Sequence, residues 1–67
     1  MNWDLTGMTI WARYMGEFDV YGVVESSRVK YGGEVQHTIR LPEPMNIYGR
    51  MADRLLIESK YVTRVKD

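Results

Sequence analysis

Two adjacent glycines, Gly32 and Gly33, separate two runs of β-type residues, 20–31 and 34–41. A glycine break between such runs is a hairpin signal, and the loop length decides which side chains share a face. A two-residue loop, Gly32-Gly33, would set Tyr31 against Glu34, Lys30 against Val35 and Arg28 against His37. Each face would then mix apolar and charged groups. A three-residue loop, Gly32-Gly33-Glu34, sets Tyr31 against Val35, Val29 against His37, Ser27 against Ile39 and Glu25 against Leu41. This second pairing sorts the residues. Val23, Val29, Tyr31, Val35, His37, Ile39 and Leu41 fall on one side, with Ser27 and Glu25 as exceptions. Ser26, Arg28, Lys30, Gln36, Thr38 and Arg40 fall on the other. Burial of one face favours the sorted register, and a glycine supplies the left-handed residue that a bulged three-residue turn needs.

The same punctuation continues along the chain. Residues 8–15 alternate, with Met8, Ile10, Ala12 and Tyr14 on one side and Thr9, Trp11, Arg13 and Met15 on the other, as a half-buried strand does. Residues 16–19 form a loop. Gly22 marks a bend or bulge in a long strand, where another backbone comes close. Pro42 and Pro44 bracket a loop, and pairing is expected to end at Pro42, which has no N–H for a ladder. Residues 47–48 form a short extended piece. Residues 54–57 read as a further strand, although the surrounding 51–59 segment is also compatible with a helix by propensity. Residues 58–61 form one tight turn and 62–65 a closing strand.

With 67 residues and no cysteine, the chain is one small domain that no disulfide can staple. A single histidine, His37, excludes a multi-histidine metal site, and no cofactor or small-molecule site is expected. Two tryptophans, five tyrosines and Phe18 are expected to supply much of a thin core. Nine cations balance nine carboxylates. Their distribution is uneven. Residues 1–25 hold Arg13 against Asp4, Glu17, Asp19 and Glu25, a balance of −3, so the remainder is +3. That polarity falls short of a dedicated nucleic-acid binder. No apolar run approaches the roughly 18 residues that suggest a membrane helix. The start, MNWDLTGM, lacks the basic-then-apolar order of a signal peptide, so a cytoplasmic location is expected.

No catalytic constellation stands out. His37 falls on the apolar side as a core or rim residue, and no nucleophile and orienting carboxylate accompany it in a known order. Glu25 and Ser27 are expected inward near the open end of the hairpin, with Glu25 paired to a core-edge arginine such as Arg54. The glycines match no phosphate-binding fingerprint. The aromatic residues could build a groove, but most are expected to serve the core. Trp11 is placed opposite the core side of its strand and, if exposed, marks a contact with a partner or a second copy.

The order of strand, acidic loop, long bent strand, hairpin, further strand, tight turn and short last strand resembles an SH3-like barrel. Residues 8–14, 20–31, 34–41, 54–57, 58–61 and 62–65 carry that likeness. It implies an all-β, partly open five-stranded barrel with one short 3-10 turn. The stretch 22–41 also resembles small proteins of tailed bacteriophages, which implies an accessory product in the host cytoplasm. The tyrosine-rich segment of proline-peptide binders is absent, since only Tyr14 and Phe18 stand in its region. The expectation is a non-enzymatic interaction module. It would bind an acidic protein or nucleic acid through Arg28, Lys30, Arg40 and Gln36, with Tyr31 at the rim. The same charges also suit a plain solvated face. The alternative is a structural homo-oligomer joined through Trp11 and open sheet edges.

Overall fold

The computed structural model describes residues 3–66. Five antiparallel strands form one sheet: β1 Thr9–Tyr14, β2 Phe18–Val29, β3 Val35–Ile47, β4 Arg50–Glu58 and β5 Val62–Lys66. Their spatial order is β4-β3-β2-β1-β5. One 3-10 turn, Ser59–Tyr61, leads into β5 and lies against both β1 and β3, which curls the sheet. Among the described residues β4 and β5 each keep one edge without a ladder partner, so the barrel is partly open. The fold is all-β, as expected, and residues 51–58 are strand rather than helix.

The hairpin at Gly32-Gly33 has three loop residues, but they lie one position earlier than expected. Lys30 N–H donates to the Glu34 carbonyl (2.6 Å) and Gly33 N–H donates to the Lys30 carbonyl (2.9 Å). The loop is therefore Tyr31-Gly32-Gly33, with Glu34 in the frame. Gly32 takes φ +97 at the third turn position, where a side chain would be strained. The register becomes Val29↔Val35, Arg28↔Gln36 and Ser27↔His37.

A bulge reconciles this register with the core. The ladder shifts between Val24 and Ser26, leaving Glu25 as the extra residue. Before it, Val20, Gly22 and Val24 face inward; after it, Ser27 does. Val23, expected inside, is thus exposed on the outer face. Val29 is on the expected side but lies beyond the end of the core and is 49% exposed. Tyr31 is fully exposed at the loop tip instead of lining the core. The phase of β3 is as expected, with His37, Ile39 and Leu41 buried.

The close backbone approach expected at Gly22 is present. A Cβ at Gly22 would overlap the Arg40 carbonyl oxygen. Two other expectations are corrected. Phe18 and Asp19 are not loop but pair with Tyr14 and Arg13, so β2 starts earlier. Pairing does not end for good at Pro42: β3 continues to Ile47, and its ladder with β4 breaks only between Arg40 and Met45. Both prolines sit in that gap, where their missing N–H costs no ladder bond. A two-residue hairpin, Tyr48-Gly49, then joins β3 to β4 with φ +49 and +84. These are the signs of a type I′ turn, which matches strand twist. Asn46 Oδ1 accepts the Gly49 N–H (2.8 Å) and steadies it.

The core is aliphatic: Ile10, Ala12, Val20, Val24, Ile39, Leu41, Leu55 and Ile57. Each fully buried Ile or Leu contributes about 1.5–3 kcal/mol. The aromatics do not fill this core as expected. Tyr14 and Phe18 pack at its margin, and Tyr48 meets Phe18 edge to face at 5.6 Å between ring centres.

Candidate binding face

Alternation along each strand brings one set of side chains to the outer face of the sheet. Register then arranges them in rows across the strands. One row runs Arg54, Arg40, Val23, Thr9, Lys66, each residue directly opposite the next. The neighbouring row runs Arg64, Trp11, Tyr21. A third row, Arg28, Gln36, Glu58, lies towards the hairpin tip.

The five expected binding residues fare differently. Arg28 and Gln36 are cross-strand partners, and Arg28 Nε donates to Gln36 Oε1 (3.1 Å). Lys30 is half-buried and donates to Glu58 Oε2 at 2.7 Å. This contact raises the lysine above its ordinary pKa and lowers the carboxyl of Glu58 below its own. Glu58 arrives from β4, which the hairpin pattern alone does not include. Arg40 is exposed and makes no ion pair with another described residue. Tyr31 borders an open depression with Arg28, Val29, Lys30 and Glu34.

Sequence reasoning missed the contribution of the last strand. Arg64 and Lys66 flank Trp11 and Thr9 on the same outer face, and neither pairs with a described carboxylate. That 62–65 is a closing strand was readable, but which strand β5 joins, and in what register, was not. Trp11 is half-buried rather than open. Tyr21 stacks on it (5.9 Å between centres, 17° between planes) and the Arg64 guanidinium lies 4.9 Å from its ring centre. Tyr21 also lines a depression with Val20, Leu41, Pro42, Pro44 and Met45, together with Asp19 and Glu43.

Three carboxylates on this face are engaged. Arg54 Nε donates to Glu25 Oε1 at 2.7 Å, the pairing expected from sequence, although Glu25 is exposed on the bulge rather than inward. Arg13 reaches Asp19 at 3.4 Å, and Glu58 meets Lys30 and, at 3.7 Å, Lys60. Positive charge is therefore left over at Arg28, Arg40, Arg64 and Lys66.

His37 is wholly enclosed at 0% exposure. Its Nδ1 lies 2.7 Å from Ser27 Oγ and its Nε2 2.7 Å from Ser59 Oγ. Ser27 Oγ also accepts the Leu5 N–H (3.0 Å). The imidazole thus ties the N-terminal segment, β2, β3 and the 3-10 turn together. Burial holds its pKa below the ordinary histidine value, against a weak opposing pull from Asp4. Among the described residues no group of three His, Cys, Asp or Glu side chains is placed to hold a metal ion. No helix among them is long and apolar enough to cross a membrane.

Compared with known protein families, with curated proteins and with solved structures, the chain matches none.

Proposed function

We propose that this chain is a non-enzymatic interaction module that takes an acidic partner on the outer face of its sheet. The observation that carries the reading is the set of cations on that face, Arg28, Arg40, Arg64 and Lys66, which no described carboxylate neutralises. Strand register sets Arg64 and Lys66 two residues apart on β5 and spreads Arg40 and Arg28 over the same face, which suits an extended partner carrying phosphates or carboxylates. Lys30 contributes less, because Glu58 already satisfies it.

The test is binding of polyphosphate and of a polyglutamate peptide to the wild type and to a variant with Arg28, Arg40 and Arg64 all changed to Gln. The wild type should retain at least one of these polyanions, and the variant should lose it. Retention by the variant would sink the reading. A second reading, a homo-oligomeric structural subunit, draws on the unpaired edges of β4 and β5 and on exposed Leu56 and Met51 of the edge strand. Molar mass across a concentration series decides it, since a strict monomer removes that option.

A further inference from the structure

The outer face holds more than charge. The row that ends in Arg40 and Arg54 on one side and Lys66 on the other crosses all five strands. Strands lie about 4.8 Å apart, so this row is about 19 Å long. The aromatic row with Trp11 and Tyr21 lies two residues along the strands, about 7 Å away. Arg40 and Lys66 stand towards the two ends of the first row and Arg64 ends the aromatic row beside Trp11, so positive charge brackets the stacked rings, as in surfaces that hold a sugar-phosphate backbone around base-stacking aromatics.

Trp11 stacks against the ring of Tyr21. The tyrosine also lines a depression with Pro42, Pro44 and Met45, whose lining includes the carboxylates Asp19 and Glu43. An acidic side chain entering there would meet Glu43, which pairs with no described cation, although Asp19 is engaged by Arg13. A nucleobase would not be repelled there, because its amino and imino N–H groups donate to carboxylate oxygens while its plane stacks on the tyrosine. The same site therefore separates two kinds of acidic partner.

Resting on the proposed acidic-partner function, we infer that the partner is single-stranded nucleic acid. Its phosphates follow Arg40, Arg64 and Lys66, and one unstacked base sits against Tyr21 in the Pro42–Pro44 slot. A duplex keeps its bases stacked on each other and offers none to the slot.

The experiment measures binding of a fluorescent eight-residue oligodeoxycytidine by anisotropy. Polyphosphate, polyglutamate and a short DNA duplex serve as competitors. Three phosphates neutralised on a single strand give a log–log salt slope of about −2. Tyr21→Ala should weaken the oligonucleotide roughly 5- to 150-fold, the usual cost of losing one base–aromatic stack. Tyr21→Phe should bind as the wild type does, and circular dichroism checks that both variants fold. Equal binding by Tyr21→Ala and wild type, or duplex or polyphosphate competing as well as oligodeoxycytidine, overturns the single-strand inference and leaves the acidic-partner function standing. Failure of every polyanion to bind removes both.

Discussion

Arg40 and Arg54 stand directly opposite each other across β3 and β4, and Glu25 from the β2 bulge holds Arg54 at 2.7 Å. Asp53 adds only a longer contact of 3.8 Å. Two facing guanidinium groups repel, so the bulged carboxylate has a structural reason to be there. Glu25→Gln should leave that repulsion partly uncompensated. The variant is expected to melt lower than wild type in dilute buffer and to recover most of the gap in 0.5 M salt, which is about enough to shorten screening below 5 Å. A melting difference that salt does not change would refute this account. The same substitution should tighten binding of any polyanion to the outer face.

Gly22 is required by space rather than by backbone angle, since its φ is ordinary and only the Arg40 carbonyl crowds it. Gly22→Ala should push β2 and β3 apart and cost about 1–3 kcal/mol. Urea denaturation of the purified variant measures it. A neutral result would mean that the two strands separate freely at that point.

Met15 is the contrary case. It is an exposed side chain held at φ +53 in the β1–β2 turn, a conformation that costs a non-glycine residue about 1 kcal/mol. Met15→Asn should therefore stabilise the protein by about 0.5–1 kcal/mol, since asparagine tolerates this region better. A lower denaturation midpoint for the variant would contradict it.

The buried imidazole makes stability depend on pH. Its folded-state pKa lies below the usual value of 6.5 because burial disfavours the charged ring. The unfolded chain then binds a proton first as pH falls. Stability is full above pH 6.5 and declines as pH drops from there through the depressed folded value. Both serine hydroxyls can donate or accept, so hydrogen bonding does not oppose charging; burial does. Denaturation between pH 7.5 and 5 should show this loss, and His37→Gln should flatten the curve in that window.

Ser27→Ala removes the group that accepts from Leu5 and lies against the imidazole. It should cost about 1–3 kcal/mol by leaving two polar atoms without a partner. Hydrogen exchange at the Leu5 amide should also speed up. An unchanged amide would show that the serine does not anchor the N-terminal segment.

Much of this architecture was readable because the informative residues obey simple alternation. His37, Ile39 and Leu41 fix the phase of β3, Ile10 and Ala12 fix that of β1, and the turn before β5 shows in Glu58-Ser59-Lys60-Tyr61. Val23-Val24 did not yield to the same reasoning. Two adjacent β-branched residues fit either phase, and only the ladder shift at Glu25 says which one is inside. Sorting the hairpin by polarity assumed an unbroken strand, so it moved Tyr31 inward and Glu34 into the loop. The Tyr48-Gly49 turn was hidden because tyrosine is a strand former and gives no turn signal. On the candidate face, Arg28, Lys30 and Arg40 could be grouped within one hairpin. Glu58, Arg64 and Lys66 reach them only through pairings between distant strands, which no local pattern carries.

The single extra residue in β2 works as a joint between two independent alternation patterns. Without it the ladder would run unbroken, with Val24 opposite Ile39 and Ser26 and Ser27 still opposite Thr38 and His37. What the insertion adds is therefore an anchor from β2 for Arg54 on β4, two strands away.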